Sequence, residues 1–202
     1  MPLAPVGFDL DMTLIDSQEA VLRSFAGVAA DTGVPIDPVG VRRRLGIKLQ
    51  DELGYWFPPG EVDEAVRLYR AHYLTLLGPL TRLLPGAVQA LEAVRASGAR
   101  AVVITAKAEL PARLSLESVG LSADELIANA HGPEKAVVLK EIGAAVYVGD
   151  TPADMAAAAV AGARAVGVAT GSFAEAELRA AGAADVLPSL TEFPSLYRQI
   201  IS

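Results

Sequence analysis

The chain has 202 residues, 52% of them apolar, and a formal net charge of −7, which suits one good-sized domain or a core domain carrying a smaller insert. The acidic balance and the lack of a long basic run argue against non-specific binding to nucleic acid or an anionic membrane, and with no cysteine there is no disulfide, thiolate nucleophile or cysteine-ligated metal. The first five residues show no signal-peptide pattern and the Ala-rich stretch 155–162 is too short to cross a bilayer, so a cytoplasmic location is the expectation.

Residues 6–9 are the first short apolar run and predict a buried strand. It ends in Asp9-Leu10-Asp11-Met12-Thr13, so two carboxylates stand at its carboxyl end. About seventy residues without a convincing strand follow. Residues 18–32 read as a helix with Ser17 as its N-cap, and 39–45, 50–56 and 61–77 look helical too, split by Pro35, Pro38, Pro58 and Pro59. The run is expected to form a helical insert over 16–82, lying over the mouth of a core made of 1–15 and 83–202. Beyond it, strands are expected at 101–105, 145–149 and 165–168, with a further short one near 126–128. Helical patterns at 87–97, 112–119, 135–142 and 152–161 each end at a glycine. Strand, helix, glycine, strand is the pattern of repeated βαβ units, so the fold class expected is α/β, a doubly wound parallel sheet.

Open parallel sheets bind ligands outside the carboxyl ends of their strands. Four sites fall there: Asp9 and Asp11; Thr105; Lys135, which opens a helix; and Gly149-Asp150-Thr151-Pro152-Ala153-Asp154. Carboxylates gathered at one point repel unless a cation or a proton compensates, which suggests a divalent metal. One acid would then be free for nucleophilic chemistry while another moves protons.

Asp9-x-Asp11-x-Thr13, then Thr105, Lys135 and Gly149-Asp150-x3-Asp154, in that order, resemble the haloacid dehalogenase-like hydrolase superfamily in its phosphatase branch. The resemblance covers essentially the whole chain, because the helical insert sits where the family carries its C1-type cap. Arg44-Leu45-Gly46 and the end of the chain look most like phosphoglycolate phosphatase-type members. The resemblance implies a HAD-like Rossmannoid core and a Mg²⁺-dependent phosphatase. It implies that Asp9 attacks the phosphorus of a small phosphate monoester, phosphoglycolate-like or a sugar phosphate, to form an aspartyl-phosphate. Asp11 would serve as general acid and then base, Thr105 and Lys135 would hold the phosphoryl group, and Thr13 would serve the local turn. The metal would be held by Asp9, Asp150 and the main-chain carbonyl of Asp11, with Asp154 as a ligand or a partner of one.

Other residues are open to plainer readings. Lys140 rivals Lys135, and Lys107 reads as a solvated helix-start lysine. Ala106 stands where the family often has a polar residue. Arg42, Arg43, Arg44 and Lys48 form the one basic cluster; it reads as a solvated face, or else Arg44 or Lys48 reaches a second anionic group on the substrate. His72 and His131 read as structural or exposed, and Tyr55 and Trp56 as core of the insert.

Competing functions are a phosphomutase of the β-phosphoglucomutase kind, which would share all four sites, and a non-catalytic metal-binding module. The second acid, Asp11, argues against a dehalogenase, and a phosphonate hydrolase would need a cap lysine, for which Lys48 is the one candidate. A receiver-like signalling domain would be shorter and lack the insert, and no G-x-x-x-x-G-K-[ST] loop supports a P-loop kinase. The expected partner is a small phosphorylated metabolite, and the expected state a monomer or homodimer.

Overall fold

The computed structural model describes residues 3–202. In chain order it places β1 (Val6–Phe8), β2 (Ile15–Asp16), α1 (Gln18–Thr32), α2 (Pro38–Arg43), α3 (Leu49–Leu53), α4 (Val62–Leu80) and β3 (Arg82–Leu83). There follow α5 (Ala87–Ala96), β4 (Ala101–Ile104), α6 (Glu109–Ser118), β5 (Glu125–Ile127), α7 (Pro133–Glu141), β6 (Val146–Gly149) and α8 (Pro152–Ala161). The chain ends with β7 (Arg164–Val168), α9 (Glu175–Ala180), β8 (Asp185–Leu187) and α10 (Phe193–Ile201).

Six strands make one parallel sheet in the order β5-β4-β1-β6-β7-β8. Its central strands are apolar at every position because both faces are covered. Alternation along each strand sends successive side chains to opposite layers. Val6, Phe8, Val103 and Val148 pack with Leu91 and Val94 of α5 and with Phe193 and Tyr197 of α10. Val102, Ile104 and Tyr147 pack with Leu139 of α7, Met155 of α8 and Leu178 of α9. Phe193 meets Phe8 edge-on, with centroids 5.3 Å apart.

The four helices α1 to α4 bury a separate apolar cluster that includes Val21, Phe25, Val41, Leu53, Phe57, Tyr69 and Tyr73. The chain enters and leaves this helical segment through an antiparallel ribbon, in which Ile15 pairs with Leu83 and Asp16 with Arg82. Helix α4 runs three residues past the expected end at Leu77 and carries Pro79 in its last turn, where the missing N–H removes one i→i−4 hydrogen bond just before the helix ends. Ser17 stands at the N-cap position of α1 but makes no capping bond; its hydroxyl donates to Asp11 instead.

Strand β6 pairs directly with β1: Val6 lies beside Val146 and Phe8 beside Val148. Asp9 and Asp150 therefore leave the same sheet edge on adjacent strands, and the Asp9 N–H donates to the Val148 carbonyl at 2.8 Å. The helices α9 and α10, the edge strand β8 and the short ribbon were not anticipated from the sequence pattern. None of the described helices is long and apolar enough to cross a membrane.

Candidate active site

The loop after β1 is tight. The Leu14 N–H donates to the Leu10 carbonyl at 2.9 Å and the Met12 N–H to the Ile15 carbonyl at 2.7 Å. Met12 adopts φ +59°, a left-handed conformation that costs a side-chain-bearing residue about 1–2 kcal/mol. The turn separates the two acids. Asp9 is buried over the sheet, while Asp11 turns toward α1 and Lys107.

Asp9, Asp150 and Asp154 are all buried, and each offers a carboxylate oxygen within 4.8 Å of the others. Lys135, at the start of α7, lies between two of them: its Nζ is 2.8 Å from Asp9 Oδ1 and 2.7 Å from Asp154 Oδ1. Thr13 donates to Asp150 Oδ1 at 3.1 Å, across 137 residues of chain, so it holds a site carboxylate as well as shaping its own turn. Asp154 also accepts from the Tyr147 hydroxyl at 3.2 Å and from the Thr151 hydroxyl and N–H at 2.7 and 3.2 Å. The N–H contact belongs to a capping box at the start of α8, completed by the Asp154 N–H donating to the Thr151 hydroxyl at 3.2 Å. Room for the Tyr147 ring comes from Gly7, where a Cβ would sit 2.8 Å from Tyr147 Cδ2.

Burial pushes the Asp9 carboxyl up to about 7, with the Lys135 ammonium pulling it down and Asp154 pushing it up again. Burial also raises Asp150 well above the carboxylate range, reinforced by Asp9 and Asp154 and opposed by the Thr13 hydrogen bond. For Lys135, burial alone would favour the neutral amine; Asp154 and Asp9 outweigh it and hold the proton in place.

Asp11 has its own partner. Lys107 Nζ lies 2.6 Å from Asp11 Oδ1 and donates to the Tyr73 hydroxyl at 2.7 Å. The expectation of a solvated Lys107 is thus overturned. Its side chain is 11% exposed, and Asp11 and Tyr73 raise its pKa above the lysine range in spite of burial. Tyr73 comes from α4, so the pair ties the helical segment to the sheet edge. Thr105 is buried at the end of β4, with its hydroxyl oxygen accepting from the Lys107 N–H at 3.1 Å. Lys140 lies on the exposed side of α7 and is outside the site.

A cavity of about 570 Å³ lies between the helical segment and the sheet edge, with Asp11, Lys107, Ala106 and Asn129 on the core side. Arg44 and Lys48 line it, but both are paired. Arg44 grips the buried Glu52 with two bonds of 2.7 and 2.8 Å and stacks on Tyr55 at 4.3 Å. Lys48 is 2.5 Å from Glu134. Arg42 and Arg43 are exposed, as a solvated face requires. Tyr55 is 65% exposed and so is not core, whereas Trp56 packs against the helical cluster and donates to Glu52 at 3.0 Å. His72 pairs with Asp31 at 2.7 Å, linking α4 to α1, and His131 is half-buried.

The sequence pattern of the haloacid dehalogenase-like hydrolases matches residues 6–159, which take in all four sites. The chain belongs to that family. Among its relatives is a phosphoglycolate phosphatase of Cupriavidus necator, 30% identical over 97% of this chain and 94% of the relative. Another, from Rhodospirillum rubrum, is 34% identical over 80% and 77% of the two chains. A solved hydrolase from Pseudomonas syringae shares the fold, with a TM-score of 0.85 at 21% identity, covering 99% of this chain and all of that one. This haloacid dehalogenase-like hydrolase is an enzyme of the phosphatase kind.

Four contributors to the hydrolase site escaped sequence reasoning: Lys107, Ser17, Tyr147 and Tyr73. Only Lys107 left a signal. It follows Thr105 by two residues at the end of a buried strand, on the same edge as the other sites.

Proposed function

We propose that the chain is a Mg²⁺-dependent phosphatase that hydrolyses a small phosphate monoester through an aspartyl-phosphate on Asp9. The observation that carries this reading is the convergence of Asp9, Asp150 and Asp154 around Lys135 at the carboxyl edge of the sheet. The three acids Asp9, Asp150 and Asp154 converge on one lysine, Lys135, leaving two negative charges for a divalent cation to balance. The donors are hard carboxylate oxygens, which suits Mg²⁺. Asp9 and Asp150 keep oxygen lone pairs free and would hold the ion together with the Asp11 carbonyl. Asp154 spends both oxygens on Lys135, Tyr147 and Thr151, which favours a role in fixing Lys135 over direct ligation. When bound, the ion would neutralise charge on the phosphoryl oxygens and on Asp9.

In this reading an Asp9 oxygen attacks phosphorus in line with the ester oxygen. A P–O bond forms to Asp9, the bond to the alcohol breaks, and Asp11 gives its proton to the departing oxygen. Asp11 then takes a proton from water as that water attacks the same phosphorus, which frees inorganic phosphate and restores the Asp9 carboxylate. Lys135 and the Thr105 hydroxyl hold the phosphoryl oxygens, with little covalent work left for the protein beyond positioning. Ser17 and Lys107 orient Asp11. Residues 1–15 and 83–202 act as the catalytic core, and 16–82 as a cap that hinges at the ribbon of residues 15–16 and 82–83.

The test is phosphate release from a panel of monoesters, phosphoglycolate and sugar phosphates included, with Mg²⁺ and with EDTA. Release is expected with Mg²⁺ alone, and Asp9→Asn should lower it by at least about 10³-fold while the thermal midpoint is kept. Turnover by the folded Asp9→Asn protein at the native rate would sink the nucleophile assignment.

A further inference from the structure

The cavity over Asp11 carries information about the alcohol half of the substrate. Its walls are apolar: Val21, Phe25, Val41 and Tyr69 from the helical segment, with Leu74 and Leu110 also among its lining. The last two are 43% and 57% exposed, large apolar side chains left open on either side of the segment boundary. Such surface is disfavoured in water, and its place beside the acid that faces the leaving group suggests that a ligand covers it.

The cations around the cavity point the same way. A glycolate carboxylate needs a cation close to the phosphate, and the near ones are taken. Lys107 is held by Asp11, Arg44 by Glu52 and Lys48 by Glu134. Arg70 is the one lining cation with no ion pair among the described residues, and it is exposed on α4. A sugar would need donors and acceptors for several hydroxyls; Arg44, Lys48 and Lys107 are already paired and Ala106 adds none, which leaves the Gln50 and Asn129 amides beside walls that are mainly apolar. The volume of about 570 Å³ suits a ligand far larger than glycolate.

Resting on the phosphatase reading above, we propose that the natural substrate carries a bulky, mainly apolar alcohol group, arylalkyl or branched alkyl in kind, seated in this cavity between Leu74, Leu110 and the Phe25–Tyr69 wall. Arg70, also in the lining, would take an acceptor on that group. Phosphoglycolate and sugar phosphates are then poor substrates, although relatives of the chain are named for the former.

The experiment compares 2-phenylethyl phosphate, ethyl phosphate and phosphoglycolate with Mg²⁺. The first two release primary alcohols of similar acidity, so the chemistry of departure nearly cancels. It also measures binding of the non-hydrolysable 2-phenylethylphosphonate and ethylphosphonate by calorimetry. The expected result is kcat/KM at least about tenfold higher for 2-phenylethyl phosphate than for the other two, with a similar ratio in phosphonate binding. The Leu74→Gln, Leu110→Gln double variant, altered at exposed positions, should shrink both ratios. Equal or better turnover of phosphoglycolate or ethyl phosphate overturns the proposal and leaves the phosphatase reading standing. No turnover of any ester, with 2-phenylethylphosphonate still bound more tightly, overturns the phosphatase reading and leaves the apolar ligand. No turnover and no binding preference overturns both.

Discussion

A single methyl group placed at residue 171 tests the metal assignment without touching a titratable side chain. Gly171 lies in the loop after β7, and a Cβ built there would sit 1.9 Å from Asp150 Oδ2 and 2.9 Å from its Cγ. Carbon and oxygen without a bond between them do not approach within 3.0 Å, so Asp150 or the loop must move by more than about 1 Å. Thr13 holds the other carboxylate oxygen from the β1 side, and Thr170 is tied to the Met12 carbonyl, so neither can yield freely. Mg²⁺ demands near-ideal octahedral geometry, and a 1 Å misplacement in an active site costs about 10²-fold in rate. Gly171→Ala should therefore cut Mg²⁺-supported phosphate release about 10²-fold and weaken Mg²⁺ binding, for about 1–3 kcal/mol of stability lost to overpacking. Gly60→Ala is the control, since nothing lies within 4 Å of its Cβ. The assay is a Mg²⁺ titration followed by phosphate release and by calorimetry. A Gly171→Ala protein with native Mg²⁺ affinity would refute the placement of Asp150 at the metal.

Two further outcomes follow from the charges. Asp9 titrates near 7 in the folded, metal-free chain and at 3.8 when unfolded. Between these values the unfolded chain gives up the proton while the folded one keeps it, so the Asp9 contribution to stability falls as pH rises from about 4 to 7 and then levels off. Mg²⁺ competes with that proton, so the rise in thermal midpoint on adding Mg²⁺ should be larger at pH 8 than at pH 5; a rise that is equal or larger at pH 5 would contradict it. Lys107→Met removes the cation beside Asp11 and the bond to Tyr73, and should lower kcat by about 10²-fold with KM changed far less, since the role proposed for Asp11 is in the proton transfers. Native kcat in that variant would mean that Lys107 only braces the helical segment.

The core was legible in the sequence because parallel strands buried on both faces must be apolar throughout, and the runs at 101–104, 145–149 and 165–168 are. The edge strand β8 escaped for the same reason inverted. Only Val186 and Leu187 are apolar in it, one of its flanks has no partner strand, and three residues carry no period. Asp9 and Asp150 could be placed on one sheet edge by chain order alone, since each follows its strand directly. The partners of Asp11 were legible only in part. The sequence places Lys107 near the edge, two residues after Thr105, but not its burial, which comes from Tyr73, 34 residues earlier in a different layer of the molecule. Ser17 has the residue type and position of an N-cap, and only the Met12 turn brings Asp11 close enough to claim its hydroxyl.

That contrast explains why the cation pairing around the cavity decides more about the substrate than the chemistry at Asp9 does. The groups proposed to react sit at the ends of β1, β4 and β6 and the start of α7, whose geometry follows from strand order and register. Arg44 and Lys48 belong to a segment that packs on its own apolar cluster, and their charges are already met by Glu52 and Glu134. Freeing Arg44 for a substrate would leave Glu52, 4% exposed, without its main partner, and an uncompensated buried carboxylate costs several kcal/mol. Arg44, one of the two cations that suggested an anionic substrate tail, is therefore spent on holding the helical segment together.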